Sequence, residues 1–427
     1  MTSSARFAAS MAAAIDEIAA RDGGYLSRFG LPWPDADHLL ERYRAELADT
    51  GWSPSMLTAA LASGRERASR DARVVEPDGR HALADWIGLS SVDAYCMEEG
   101  SLAAAPVDPA SLRTRLSSGF DYVEAPGGHG AFVAKSGDTP LLLLNATGVP
   151  LAVWRQLIFD RSHPFKLVIP NRGQSSILDG GLDTFLDIEG EASGTLAAVT
   201  QAGIRDFHIL AWCNGARLAL EVGRRAGGLA RSMALLSPMF KGTADVPAAL
   251  SRYERDLQSL LDVVLANPDY AEQFIRHVPG MAAPVEWGKL PPDDGRHVEV
   301  LLGLPRDVDR MALLQPLLSP SSMANVARRV ASDERQPTLQ VLDRLTIPLF
   351  VLLGSHDNII SNRAVLNVLS RSTSQACVMR LHGAGHYLHD LQYGYLRHSL
   401  THWTATLKAP PSTARLQHVR PPFPEDT

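Results

Sequence analysis

The chain has 427 residues, 45% of them hydrophobic and 21% charged, enough apolar material for a large core divided among two or three structural units. Its 41 Lys and Arg against 47 Asp and Glu leave a net charge of -6, which excludes a general attraction for nucleic acid or an anionic membrane surface. Three scattered cysteines, Cys96, Cys213 and Cys377, form neither a disulfide framework nor a Cys-x-x-Cys metal pair, so a reducing cytoplasm is the expected setting, with no metal.

Asp16 and Glu17 interrupt the Ala-rich opening, which argues against a secretory segment, and no run reaches the roughly 18 apolar residues that span a bilayer. Residues 1–118 read as a helical N-terminal region, with apolar residues at helical spacing in 11–18, 39–47 and 57–61, punctuated by Pro32, Pro34, Gly51 and Pro54. From 119 to 237 strands alternate with helices. Residues 120–125 and 130–134 predict a hairpin around Gly127 and Gly128, and 141–144 and 166–169 predict buried strands of a mainly parallel sheet. Helices are expected at 153–159, 194–202 and 216–226, and further strands at 207–211 and 232–236.

Residues 238–346 lose the strand signal and predict a helical cap inserted into the sheet domain, with helices at 248–265 and 311–330. Strand character returns at 349–353 and 377–381, within a second core segment spanning 347–408. The Pro-rich tail, 409–427, is expected to be disordered.

The segment that carries chemistry is His208-Ile-Leu-Ala-Trp-Cys-Asn-Gly-Ala-Arg-Leu-Ala-Leu220: a buried strand, then Ala211-x-Cys213-x-Gly215, then an amphipathic helix. A residue on a sharp strand-to-helix turn projects from the sheet, and small residues two positions to either side let the turn pack. The positive end of the following helix favours a thiolate at Cys213, and the Asn214 amide is placed to donate to a developing oxyanion.

This segment resembles the nucleophile elbow of the α/β-hydrolase superfamily, with Ala211 for the first Gly and Cys213 for the usual Ser. The family's order of acid and then base after the nucleophile is matched downstream. Gly354-Ser-His-Asp357 follows one predicted strand and resembles the acid loop; His382-Gly-Ala-Gly-His386 follows the next and resembles the base loop. The interval between them leaves room for one helix, at 363–369. Upstream, Leu141-Leu-Leu-Leu-Asn-Ala-Thr-Gly-Val-Pro150 resembles the oxyanion loop with Asn145-Ala146 in place of His-Gly, and this makes the Thr147 amide the second expected donor. Ile169-Pro-Asn-Arg-Gly-Gln-Ser175 resembles the turn after the fourth strand, with Arg172 a turn residue. The resemblance implies an α/β-hydrolase fold with an α-helical cap and a helical N-terminal extension, and a triad of Cys213, His386 and Asp357.

Cys96 and Cys377 read as inert apolar fillers, His356, His382 and His389 as loop histidines satisfied by local partners, and Trp154 and Trp212 as packing residues. The Trp-Cys-Asn-Gly elbow, the chain length and the helical extension resemble a narrower group, the Cys-dependent aminoacyl shuttle transferases of nonribosomal peptide assembly, of the syringomycin and coronamic acid type. That resemblance implies transfer of an aminoacyl group between the phosphopantetheine arms of two carrier proteins, with no cofactor beyond the arm itself. The alternatives are a Cys hydrolase of the thioesterase or dienelactone hydrolase kind, a polyester synthase, and a non-catalytic binding protein on the same fold.

Overall fold

The computed structural model describes residues 109–407 except 172–176, 179, 241–249, 276–277, 279–311, 336, 355–356, 358, 373–375, 382–385 and 392. The predicted helices before residue 109, the tail from 409 onward, Cys96, Arg172, His356 and His382 lie outside the described residues.

Runs of consecutive apolar residues need cover on both faces, which a sheet supplies only at its centre and beneath helices. The chain places them there. An eight-stranded sheet has the order β1-β2-β4-β3-β5-β6-β7-β8. Its strands are β1 (Phe120–Ala125), β2 (His129–Ala134), β3 (Thr139–Leu144), β4 (Phe165–Asn171), β5 (Phe207–Trp212), β6 (Ala230–Leu236), β7 (Leu349–Gly354) and β8 (Ala376–Leu381). The β1–β2 and β2–β4 pairs are antiparallel and every later pair is parallel. Every residue of β5 and of β7 is buried. This mostly parallel sheet with flanking helices is the α/β-hydrolase fold.

The β1–β2 hairpin turns through Pro126–Gly128, with Gly127 at φ 78° and Gly128 at φ 75°, values that favour glycine. Helix α1 (Pro109–Gly119) leads into β1, and a short 3-10 turn, Leu151–Trp154, runs into α2 (Arg155–Phe159) where one helix is predicted. Helix α3 (Ile188–Gln201) begins more than a turn earlier than the apolar spacing suggests. The Asp187 side chain accepts the Gly190 N–H at 2.7 Å, and Glu189 and Glu191 stand in the first turn, so the start is set by capping and charge. Helix α4 (Gly215–Arg225) follows β5 directly and packs against α3.

Among the described residues of 238–346 only helical elements occur: α5 (Arg252–Ala266), α6 (Tyr270–Phe274), α7 (Pro320–Glu334) and α8 (Thr338–Asp343), with a 3-10 turn at Gln315–Leu317. The continuous helix expected over 311–330 is not formed. Pro320, which has no N–H to give, starts α7 at its first position with Ser319 as the cap, and α7 then runs on to Glu334. Leu260, Leu261 and Val264 of α5 and Met323, Val326 and Ala327 of α7 form a small apolar cluster of their own with Leu182.

Polar bonds tie this layer to the sheet domain. Buried Arg329 on α7 is paired with Glu191 on α3 and, at 2.8 Å, with Asp333, while Asn325 Nδ2 donates to the Leu182 carbonyl at 2.8 Å. The last segments are α9 (Asn362–Arg371), between β7 and β8, and α10 (Leu388–Leu391) and α11 (Tyr393–Thr406) after β8. Among the described residues no helix is long and apolar enough to cross a membrane.

A close backbone approach lies at Gly215, where a β-carbon would stand 2.7 Å from the carbonyl oxygens of both Leu144 and Asn145. Neither oxygen belongs to a side chain that could turn away. Gly215→Ala is therefore expected to lower the unfolding free energy by about 1–3 kcal/mol, the usual cost of overpacking, as read from urea denaturation midpoints. Unchanged stability would contradict this packing.

Candidate active site

Three loops at the carboxyl edge of the parallel strands converge here, the place where open α/β sheets bind ligands. Cys213 follows β5 with φ 54°, a conformation that a residue bearing a β-carbon adopts only when its surroundings impose it, at a cost of about 1–3 kcal/mol. The imposition is visible in three bonds. The Cys213 N–H donates to the Leu236 carbonyl at 3.0 Å, and the Cys213 carbonyl accepts from Met239 at 3.0 Å and Ala216 at 3.2 Å. Neighbouring Ser237, wholly buried, is also held at positive φ, 39°. The sulfur-bearing residue is only 4% exposed.

The acid loop leaves β7 at Gly354. Asp357 Oδ1 accepts the N–H groups of Ile359 at 2.9 Å and Ile360 at 2.8 Å, and Oδ2 lies 2.8 Å from Nδ1 of His386. One carboxylate oxygen thus shapes the loop while the other holds the imidazole, and both side chains are fully buried. With Nδ1 donating to the carboxylate, Nε2 is the ring's other proton-carrying position. It is buried without a well-formed hydrogen bond, and the Cys213 side chain is the neighbour that acts on it.

The electrostatics follow from this burial. Desolvation opposes a charge on His386, but the Asp357 carboxylate and then the Cys213 side chain outweigh it, raising the imidazole pKa to about 10. Cys377, on β8, behaves in the opposite way: burial pushes its thiol up to about 12 and keeps it neutral.

The predicted oxyanion residues have unequal surroundings. Asn214 stands at the N-terminal cap position of α4. The buried Thr147 amide donates to the side-chain Oδ1 of Asn214 at 2.8 Å, so this N–H reaches an oxyanion only if the Asn214 side chain turns aside. Asn145 holds the loop in shape: its Nδ2 donates to the Val149 carbonyl at 2.6 Å, and its Oδ1 accepts from Ala146 N at 2.9 Å and Trp154 Nε1 at 3.0 Å. The cavity beside this loop is lined by residues that include His129, Asn145, Ala146, Asn171, Glu191 and Leu218, and by none of Cys213, His386 and Asp357.

His389 departs from expectation. It lies in α10 rather than in a loop, is fully buried, and neither ring nitrogen has a partner among the described residues. Its ring is flanked by Trp154 and Trp212, each with centroids 4.4 Å away. Burial, followed by the charges of His386 and Arg155, holds its pKa well below the ordinary value, so it serves as a neutral aromatic. Trp212 does more than pack, since its Nε1 donates to the His386 carbonyl at 3.1 Å. Sequence reading did not find Tyr253 of α5, a buried residue whose phenol feels the charge of Cys213. The Ser251-x-x-Glu254 capping signature was the available signal, because it fixes where α5 begins.

No family model matches the chain, and no curated protein matches it in sequence. Solved structures with similar backbones include an esterase from Thermogutta terrifontis at 16% identity, covering 68% of this chain and 99% of that one, with a TM-score of 0.48. Another is a bacterial membrane phospholipase A at 15% identity, covering 77% and 99%, with a TM-score of 0.49. A third is the 2-hydroxy-6-oxo-6-phenylhexa-2,4-dienoate hydrolase of a Rhodococcus strain at 18%, covering 67% and 99%, with a TM-score of 0.44.

The raised pKa of His386 has a consequence for stability. A base whose folded pKa lies above its unfolded value contributes stability in full below the unfolded value, near 6.5, and loses it as pH rises toward about 10. The stability difference between the native chain and His386→Gln should shrink across that window, by up to about 1.4 kcal/mol per pH unit. Chemical denaturation at a series of pH values measures it. A difference that stays constant or widens would contradict the assignment.

Proposed function

We propose that the chain is a Cys-dependent acyltransferase that moves an aminoacyl group between the phosphopantetheine thiols of two carrier proteins. The observation that carries the reading is the strained bend at Cys213, set against the buried His386–Asp357 pair. Placed on a bend and beside a base, a thiol has what nucleophilic catalysis requires.

In the proposed reaction His386 takes the thiol proton and the Cys213 sulfur attacks the thioester carbonyl of the first carrier. A sulfur–carbon bond forms, the carbonyl becomes an oxyanion facing the Asn214 amide, and the carbon–sulfur bond to the pantetheine arm then breaks. His386 returns the proton to the departing thiol. The second carrier's thiol reverses these steps, losing its proton to His386 and taking the acyl group from Cys213. Asp357 keeps Nδ1 protonated and the ring oriented throughout.

Transfer is favoured over hydrolysis by two features. A thioester on sulfur passes to another thiol with little change in free energy. The low exposure of Cys213, 4%, shields the acyl-enzyme from water. A carrier protein as partner is inferred from this chemistry together with the resemblance of the Trp-Cys-Asn-Gly elbow to the aminoacyl shuttle enzymes.

The test uses an aminoacyl-loaded carrier protein, an empty second carrier, and intact mass measurement of all three proteins. The proposal expects acyl mass on Cys213 and then on the second carrier, with Cys213→Ala lowering transfer about a thousandfold or more. Release of free acid with no label on the second carrier would make the protein a Cys hydrolase. Carrier binding without acyl mass on the protein would remove catalysis altogether.

A further inference from the structure

Four rings with no exposed surface form a row: Trp154, His389, Trp212 and His386. Ring centroids lie 4.4 Å apart between Trp154 and His389, 4.4 Å between His389 and Trp212, and 5.0 Å between Trp212 and His386, each pair tilted. At such spacings aromatic rings attract one another beyond the area they bury. An indole has one N–H to donate, and each tryptophan gives it to a loop of the candidate site. Trp154 Nε1 donates to Asn145 Oδ1 at 3.0 Å, the oxygen that also accepts the Ala146 N–H. Trp212 Nε1 donates to the His386 carbonyl at 3.1 Å. The spacing of the two indoles therefore sets the spacing of the loop after β3 and the base loop, and His389 is the ring between them.

Hydrogen bonding does not account for a histidine here. Neither Nδ1 nor Nε2 of His389 has a partner among the described residues. Buried polar atoms left unpaired destabilise a fold, and a hydrocarbon side chain would avoid that loss. Shape accounts for it better. Imidazole is the smallest flat ring among the side chains, and indoles centred 4.4 Å away on either side leave a narrow slot. Burial, followed by the charges of His386 and Arg155, keeps the ring neutral, so no second cation stands in the row with His386. His389 also follows His386 by three positions, which puts the base and the wedge on one short stretch of chain.

We infer that His389 is a positioning residue for the reaction, its flat ring holding Trp154 and Trp212 apart so that the loop after β3 and His386 keep the register that acyl transfer needs. The inference rests on the acyl-transfer reading and deepens it: the oxyanion side and the base side of the site are set by one shared spacer. The ring takes no proton and touches no substrate; it acts through the two indoles alone.

The test times the appearance of acyl mass on Cys213 from S-aminoacyl-N-acetylcysteamine thioesters in three proteins. These are the native chain, His389→Leu, and a chain with β-(2-thienyl)alanine at position 389, which keeps a five-membered aromatic ring without ring nitrogens. His389→Leu should acylate about tenfold more slowly or worse, through kcat with KM little changed. Its melting temperature should hold or rise, because two unpaired nitrogens are gone. The thienyl ring should restore most of the rate. Equal rates in the native chain and His389→Leu, or a loss confined to KM, would overturn the role of His389 while leaving acyl transfer intact. A thienyl chain as slow as His389→Leu would also overturn it, since the ring itself would then not be what matters. Failure of the native chain to acquire acyl mass would overturn both readings. Should His389→Leu melt too low for comparison, His389→Met, whose flexible chain fills irregular space, replaces it under the same criteria.

Discussion

One backbone torsion organises this molecule. Holding Cys213 at φ 54° forces a fully buried strand to end and a helix to begin without an intervening loop. The unfavourable conformation survives because the β6 edge and the residues after it bind the Cys213 N–H and carbonyl on both sides, over-determining the bend. Close contact at Gly215 with the carbonyls of Leu144 and Asn145 extends the same constraint to the loop after β3. Cys213, the loop after β3 and the positive end of α4 are consequently packed as one unit.

Electrostatics complete what geometry begins. A histidine with no exposed surface would ordinarily remain neutral, and His386 escapes that outcome because a buried carboxylate holds Nδ1 and a sulfur faces the other side of the ring. The surrounding wall is largely aromatic. His389, neutral between Trp154 and Trp212, adds no competing proton acceptor, and Trp212 fixes the base loop through the His386 carbonyl. At partly buried Cys377, by comparison, desolvation is the cause that acts on the thiol, and it pushes the pKa up.

Much of this was legible in the chain itself. The apolar runs of β3, β4, β5 and β7 announce a parallel sheet because only two-sided burial explains them, and the small residues around Cys213 announce the bend. What escaped sequence reading depends on capping or on tertiary contact. The early start of α3 comes from Asp187, and the break before α7 from Pro320, both local polar or steric effects that override apolar spacing. The occupation of the Thr147 amide by Asn214 and the sandwiching of His389 between Trp154 and Trp212 join residues far apart in the chain, which periodicity cannot register.

The central claim is that the Cys213 sulfur is reactive because His386 serves it. Alkylation by iodoacetamide, followed by peptide mapping of each cysteine over time, tests that claim without any assumption about substrate. The account predicts modification of Cys213 ahead of Cys377, slowed about tenfold or more by His386→Ala. Reaction of Cys213 at the same rate in that variant, or modification of Cys377 first, would contradict it.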